Sequence, residues 1–299
     1  DEKVKKEIID RVGIRYRHVA VDGHTAADLC QVAAEKLLKE LGWNANDVGL
    51  LVFVTQTPDH IVPGSATQLQ FKLGLPQNCL TLDINQGCAG YVYGMSVVSG
   101  MMRSFGINRA LLLVGDTITS LVSSKDNSIK PIFADAGSAT AFELDDNAEE
   151  MRFRLGSKGD DFEAIHVPHG GSRFPTSEES LEENEMGEGI LRNACQLSMN
   201  GQAVFTFGLS TVASEINELM KQSDVSADDL DFLVLHQANQ FLNDAIARKT
   251  GFSKEKTPSS LYNYGNTSCA TIPVTLVSQL SRQLSDQSLR MMLSGFGVG

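Results

Sequence analysis

The chain carries one pattern twice. Asp47-Val48-Gly49-Leu50-Leu51-Val52-Phe53 lies over Asp229-Leu230-Asp231-Phe232-Leu233-Val234-Leu235 at a separation of 182 residues, in each case an acidic turn leading into a short apolar run of buried-strand type. Asn85-Gln86-Gly87-Cys88-Ala89 lies over Asn266-Thr267-Ser268-Cys269-Ala270 at a separation of 181. Two landmarks in register are the mark of a duplication, and a duplication limits the architecture before any single residue does. Around each strand the order is the same: a helical pattern with apolar residues three and four apart (26–41 and 209–221), the strand, then another helix (64–73 and 239–249). Helix, strand, helix, strand, helix in both halves predicts a layered α/β body with largely parallel, buried strands and a pseudo-twofold axis. The halves run 1–155 and 156–299. Within the second, the stretch 160–189, with Gly170-Gly171, Pro175 and six glutamates among residues 178–188, reads as a surface excursion.

Composition removes several classes of function. Of 299 residues, 42% are hydrophobic and 21% charged, which suits a folded globular chain. Lys plus Arg number 25 against 37 Asp plus Glu, a net charge of −12 that argues against a nucleic-acid partner. No apolar run reaches the roughly 18–20 residues that span a bilayer, and the N-terminus lacks an apolar leader segment, so no membrane partner and a cytoplasmic location are expected. Five cysteines at scattered positions (Cys30, Cys79, Cys88, Cys195, Cys269) suit reduced thiols rather than a disulfide frame or zinc site. His166 and His169 are spaced three apart, but Pro168 breaks a helix between them and no third ligand is near, so no metal is expected. The chain starts without Met and stops just after an apolar stretch, a pattern expected of a piece of a longer protein.

One constellation has the residue types for nucleophilic chemistry. Cys88 sits between a strand, Leu80-Thr81-Leu82-Asp83-Ile84, and a helix rich in small residues that begins near Ala89. Free N–H groups at that helix start are expected to favour thiolate over thiol. His236 ends the second copy of the repeated strand, at the carboxyl end where groups collect in parallel sheets. Asn266 takes in the second half the place of Asn85 in the first, three residues before a cysteine each time. A twofold relation between the halves brings these turns to one centre.

These residues resemble a known family, the β-ketoacyl-acyl-carrier-protein synthase III group of thiolase-like condensing enzymes. The carriers of the resemblance are Gly13-Ile14-Arg15-Tyr16-Arg17-His18, Asp83-Ile84-Asn85-Gln86-Gly87-Cys88-Ala89-Gly90, Asn200-Gly201-Gln202-Ala203, His236-Gln237-Ala238-Asn239, Asn263-Tyr264-Gly265-Asn266-Thr267-Ser268 and Gly295-Phe296-Gly297-Val298-Gly299. The resemblance implies a duplicated thiolase-like five-layer (αβαβα) fold, a homodimer, and a Cys88–His236–Asn266 centre. Cys88 would take an acyl group from an acyl-CoA or acyl-carrier-protein thioester, and a malonyl carrier would then lose carbon dioxide and condense with it, as in fatty acid biosynthesis. The loop Phe296-Gly297-Val298 would supply an oxyanion donor, Arg11 and Asn239 would bind substrate, Arg248 and Lys249 would dock the acyl carrier protein, and no permanent cofactor is implied.

The sequence also departs from the family. Glu7 stands where members that use acyl-CoA carry a Trp, and Asn127, Ser128 and Ile129 occupy the segment that supplies a stacking Arg. Thr206 and Phe241 stand where basic docking residues are expected. An acyl donor other than the housekeeping one is therefore expected, as in relatives from secondary-metabolite or surface-glycan pathways. Two other readings stay open: acyl transfer to an amine or hydroxyl without decarboxylation, and a non-catalytic carrier-binding partner subunit. Residues Thr57 to Pro63 are expected to shape the pocket of a partner subunit.

Overall fold

Alternation along two strands builds the layers. In β1 (Leu50–Val54) and β3 (Arg109–Asp116), the side chains of Leu51, Phe53, Leu111 and Leu113 face helices α1 (Ala26–Leu41) and α2 (Ser65–Lys72). Leu50, Val52, Val54, Leu112 and Val114 face the other way, onto α3 (Gly90–Phe105). Strands with both faces covered have no polar face to offer, which is why these runs are continuously apolar. Each fully buried Leu or Phe among them contributes about 1.5–3 kcal/mol. This computed structural model describes residues 9, 12–187 and 189–298.

The first sheet has the order β2-β1-β3-β4, with β2 (Leu80–Ile84) at one edge and β4 (Ala136–Glu143) antiparallel at the other. Strands β5 (Ile165–His166) and β8 (Ser198–Met199) pair with each other, as do β6 (Asn184–Glu185) and β7 (Leu191–Arg192). The surface excursion expected over 160–189 is thus tied back by pairings that reach Met199, ten residues further along the chain than the sequence suggested. Arg192 fastens it to the buried Asp126 at 3.0 Å.

The second sheet is β9 (Phe232–Leu235) beside β10 (Met291–Ser294), parallel. Its Leu233 and Leu235 pack on α5 (Ala213–Gln222) and α6 (Gln240–Lys249), while Val234 faces α3 and α8 (Thr271–Asp286). The layers therefore run α1/α2, first sheet, α3/α8, second sheet, α5/α6: the thiolase-like αβαβα order. The duplication is visible in the register. Leu50 of β1 pairs with Ala110 of β3, and Phe232 of β9, 182 residues on, pairs with Met291 of β10, 181 residues on.

Local chemistry fixes where the helices begin. Thr25 caps α1 through Asp28 N–H while the Asp28 carboxylate accepts from Thr25 N–H, a reciprocal capping box. Helix α4 (Gly201–Phe207) is capped by Asn200 and passes through a π-turn, Gly208–Val212, into α5. Gly90 lets α3 lie close on the sheet, since a Cβ there would stand 2.6 Å from Val54 and 3.1 Å from Cys269 Cβ.

Candidate active site

Two turns at strand ends, and the turn after the short helix α7 (Leu261–Tyr264), converge on one cavity. Cys88, in the turn between β2 and α3, is only 5% exposed. His236 directly follows β9, with its backbone N–H donating to the Ser294 carbonyl at 2.8 Å and its own carbonyl accepting from Asn243 Nδ2 at 3.0 Å. Asn266 is fastened to the first half through its backbone: its N–H donates to the Ile132 carbonyl at 3.0 Å and its carbonyl accepts from Ala134 N–H at 2.8 Å. Cys88, His236 and Asn266 line a single cavity of about 420 Å3, much of whose wall is apolar, with side chains such as Leu121, Ile132 and Phe205. A second cavity of about 690 Å3 lies across the loop Phe296-Gly297-Val298 and is bordered, like the first, by Gln56 and Asn85.

That loop binds the halves of the site together. The Phe296 ring meets the His236 imidazole edge-on, 5.4 Å between centroids and 89° between planes. Gly297 has φ +135°, and a Cβ built on it would stand 2.7 Å from Cys88 Cβ and 2.9 Å from Cys88 Sγ, so no larger residue fits without a shift of this loop. The backbone N–H groups of Val298 and of Cys88 itself both act on the sulfur.

Electrostatics inside the cavity corrects one expectation. Burial pushes the Cys88 thiol up to about 11, outweighing the backbone donors of Val298 and Cys88 that pull the other way. Position at the start of α3 therefore does not make a resting thiolate, because the desolvation of the buried sulfur is the larger effect. His236 is held neutral for the same reason: burial lowers its imidazole to about 3, and only the Ser268 backbone opposes this. Its Nδ1 lies 2.7 Å from Thr271 Oγ1, which leaves Nε2 as the ring nitrogen without a side-chain partner among the described residues. Asn266 Oδ1 accepts from Ser268 N–H at 3.0 Å, so its NH2 is the group free for a ligand.

Other residues singled out in the sequence fall in different places. Phe296, Gly297, Val298 and Asn239 line the same cavity as the three central side chains. Asn239 also has a structural duty, its Oδ1 accepting from Leu242 N–H at 2.9 Å as the cap of α6. Arg248 and Lys249 lie at the exposed end of α6, away from the cavity lining. Lys249 is partly spent, because its ammonium donates to the Leu209 carbonyl of the π-turn at 2.7 Å. Arg11 and Glu7 lie outside the described residues. Phe241 is exposed and stacks on Phe205 at 5.4 Å beside the cavity. Thr271 and Asp116 were not singled out from the sequence, His166 was weighed there only as a metal ligand and Ser268 named only within a motif; Ser268 and His166 line the cavity, and Asp116 lies fully buried beneath it. Among the described residues no group of three or more His, Cys, Asp or Glu is disposed to hold a metal ion, and no helix is long and apolar enough to cross a membrane.

A buried thiol from one duplicate, lining one cavity with an imidazole and a carboxamide from the other inside a five-layer αβαβα body, fits an acyl-thioester condensing enzyme of the thiolase-like class. Comparison with known proteins agrees. The family description 3-oxoacyl-[acyl-carrier-protein] synthase III matches residues 82–159, and that for its C-terminal part matches residues 220–299. The β-ketoacyl-[acyl-carrier-protein] synthase III of Streptococcus sanguinis is 33% identical over 297 residues, covering 98% of this chain and 87% of that protein. The synthase III of Acaryochloris marina is 33% identical over 293 residues, covering 98% and 85%. A crystal structure of a 3-oxoacyl-(acyl-carrier-protein) synthase III superposes with a TM-score of 0.94 at 35% identity, over 98% of this chain and 88% of that one. The synthase from Burkholderia xenovorans gives 0.89 at 33%, over 100% and 84%. The chain belongs to the β-ketoacyl-acyl-carrier-protein synthase III family, whose members transfer acyl groups and condense them.

Proposed function

We propose that Cys88 takes an acyl group from a thioester and that the acyl-enzyme then condenses with a malonyl group on an acyl carrier protein, with loss of carbon dioxide. The observation that carries this reading is the convergence of Cys88, His236 and Asn266 on one cavity, with Val298 and Cys88 N–H groups at the sulfur. In this reading the halves 1–155 and 156–299 act as a nucleophile half and an enolate half. Both ionisable members are neutral at pH 7, so the thiol proton leaves as sulfur attacks, passes to His236 Nε2, and goes on to the departing carrier thiolate. The tetrahedral oxyanion is met by the two N–H groups, preorganised donors each worth about 2.7–4 kcal/mol. In the second step the malonyl carbon–carbon bond to the carboxylate breaks, carbon dioxide leaves, and the enolate oxygen is held by Asn266 Nδ2 and His236. Its carbon attacks the acyl carbonyl, Cys88 leaves, and one proton is taken up to restore the thiol.

Thr271 suits both steps. Its hydroxyl lies 3.1 Å from the Ser268 carbonyl and 2.7 Å from His236 Nδ1. When it donates to Ser268, Nδ1 carries the hydrogen and Nε2 is a base; when it donates to Nδ1, Nε2 carries the hydrogen and donates to the enolate.

The reaction needs no resident cofactor and is placed in the cytoplasm. A homodimer is proposed through the free edge of β2, where Leu80 and Leu82 are exposed beside Phe71 and the Ile61–Val62 segment. The absence from the sequence of the adenine-stacking Trp and Arg favours a carrier-bound acyl donor over CoA. Mass spectrometry after incubation with matched acyl-CoA and acyl-carrier thioesters tests this: acyl mass on the Cys88 peptide, faster from the carrier, and carbon dioxide release on adding malonyl carrier are expected. Acylation without carbon dioxide, but with transfer to an added amine or hydroxyl, would replace condensation by simple acyl transfer. No acyl mass from any thioester would point to an idle subunit.

A further inference from the structure

The duplication gives the nucleophile a twin, and the twin has a different neighbour. Cys269 is the counterpart of Cys88 at the same 181-residue separation that relates Ala110 to Met291 in the paired strands. At that separation the residue ending β3, Asp116, corresponds to Gly297 after β10. Each of these confronts the cysteine of the other half. Gly297 lies against Cys88 and offers no side chain. Asp116 lies against Cys269, whose thiol donates to Asp116 Oδ2 at 3.4 Å. The carboxyl thus fills in one half the room that Gly297 leaves beside Cys88 in the other.

Asp116 is completely buried and surrounded by donors. Oδ1 accepts from Gln56 N–H at 2.7 Å, Thr55 Oγ1 at 2.9 Å and Thr57 Oγ1 at 3.2 Å, all in the turn after β1. On the far side it is met by Cys269 and by the Ser268 hydroxyl. Ser268 is the residue that holds both enolate-binding groups: its N–H donates to Asn266 Oδ1 and its backbone acts on the His236 ring. It does so from a left-handed conformation, φ +53°, that a non-glycine residue keeps only when its surroundings enforce it. Among the described residues no cation accompanies the carboxyl, and its place is explained by the donors it ties together.

We infer that Asp116 is a positioning residue for the second half of the reaction, anchoring the Ser268–Cys269 turn to the first half so that His236 and Asn266 stay aimed at the acyl group on Cys88. The inference rests on the condensing function for its kinetic readout. Asp116→Asn is the probe: it keeps an oxygen for Thr55, Gln56 and Thr57 and reverses polarity only toward Ser268 and Cys269. Acylation of Cys88, which uses His236 but not Asn266, is followed by mass spectrometry and expected to slow by less than about tenfold, and by less than carbon dioxide release. Carbon dioxide release from malonyl carrier is expected to fall about 10- to 100-fold, the scale of a small misplacement of reacting groups. In protein carrying 15N-labelled histidine, the His236 ring nitrogens, assigned with His236→Asn, are expected to shift. Ser268→Ala, which cuts the same link while leaving Asp116 in place, is expected to give the same split. Equal loss of both steps, or unchanged carbon dioxide release, in both variants would overturn the inference. If wild type itself releases no carbon dioxide, the condensing reading has failed, and the nitrogen spectra alone decide: unchanged His236 signals in both variants sink the positioning role.

Discussion

Placing a single methyl group beside the nucleophile perturbs the site most sharply. Gly297→Ala puts a Cβ where the built position is 2.7 Å from Cys88 Cβ and 2.9 Å from Cys88 Sγ, well inside contact distance, at a φ of +135° that side chains rarely adopt. Cys88 Cβ cannot swing away, being one bond from the backbone, so the loop at 296–298 must move instead. Backbone strain of this kind costs about 1–3 kcal/mol, and the movement takes Val298 N–H off the sulfur. Loss of one preorganised donor is worth about 2.7–4 kcal/mol, so acyl-Cys88 formation should slow by about 100- to 1,000-fold. The assay is the time course of acyl mass on the Cys88 peptide, with thermal unfolding measured in parallel to establish that the variant is folded. A folded Gly297→Ala protein that acylates within about threefold of wild type would refute the reasoning, because it would mean the 296–298 loop does not hold the oxyanion.

Two further outcomes follow from the buried ionisable groups. Because the Cys88 thiol is raised to about 11, its alkylation by iodoacetamide should climb about tenfold per pH unit from pH 7 to pH 10, read on the Cys88 peptide; a plateau below pH 8 would reveal a thiolate–imidazolium pair instead. The folded His236 imidazole, at about 3, binds a proton more weakly than the unfolded one near 6.5, so between those values the unfolded chain carries the extra proton. Stability should therefore fall as pH falls through that window, by up to about 1.4 kcal/mol per unit from this group. Urea midpoints at pH 7, 6 and 5 should drop less steeply for His236→Asn than for wild type, and identical slopes would contradict the burial argument.

Much of this was legible in the sequence because the duplication does the work of a second measurement. The boundaries of α1 follow from Thr25, Asp28 and a three-four apolar spacing, and all are local. Cys88, His236 and Asn266 are far apart in the chain, but the equivalence of their turns in two copies predicts that they meet, and they line one cavity, with Asn266 following the short helix Leu261–Tyr264 rather than a strand. Readings that depended on surroundings fared worse. The start of α3 next to Cys88 suggested a thiolate, yet burial, which no string of residues states, decides the direction. Leu80 and Leu82 look like core residues and lie on an exposed sheet edge, since strand order is a tertiary fact. The pairings of β5 with β8 and β6 with β7 involve two residues each, too few for any periodicity. Asp116 left a signal that could have been used: the separation that pairs Cys88 with Cys269 also sets an aspartate against a glycine.

In the proposed reaction one half of the chain carries the acyl group and the other half uses it. A single-turnover experiment isolates that division of labour: wild type and Asn266→Ala are loaded with the acyl group, freed of donor, mixed with malonyl carrier, and followed by intact mass. Both proteins should carry the acyl group on Cys88, and only wild type should discharge it rapidly, releasing carbon dioxide and lengthened product. Discharge at the same rate from Asn266→Ala, or acyl mass on a cysteine other than Cys88, would contradict the account.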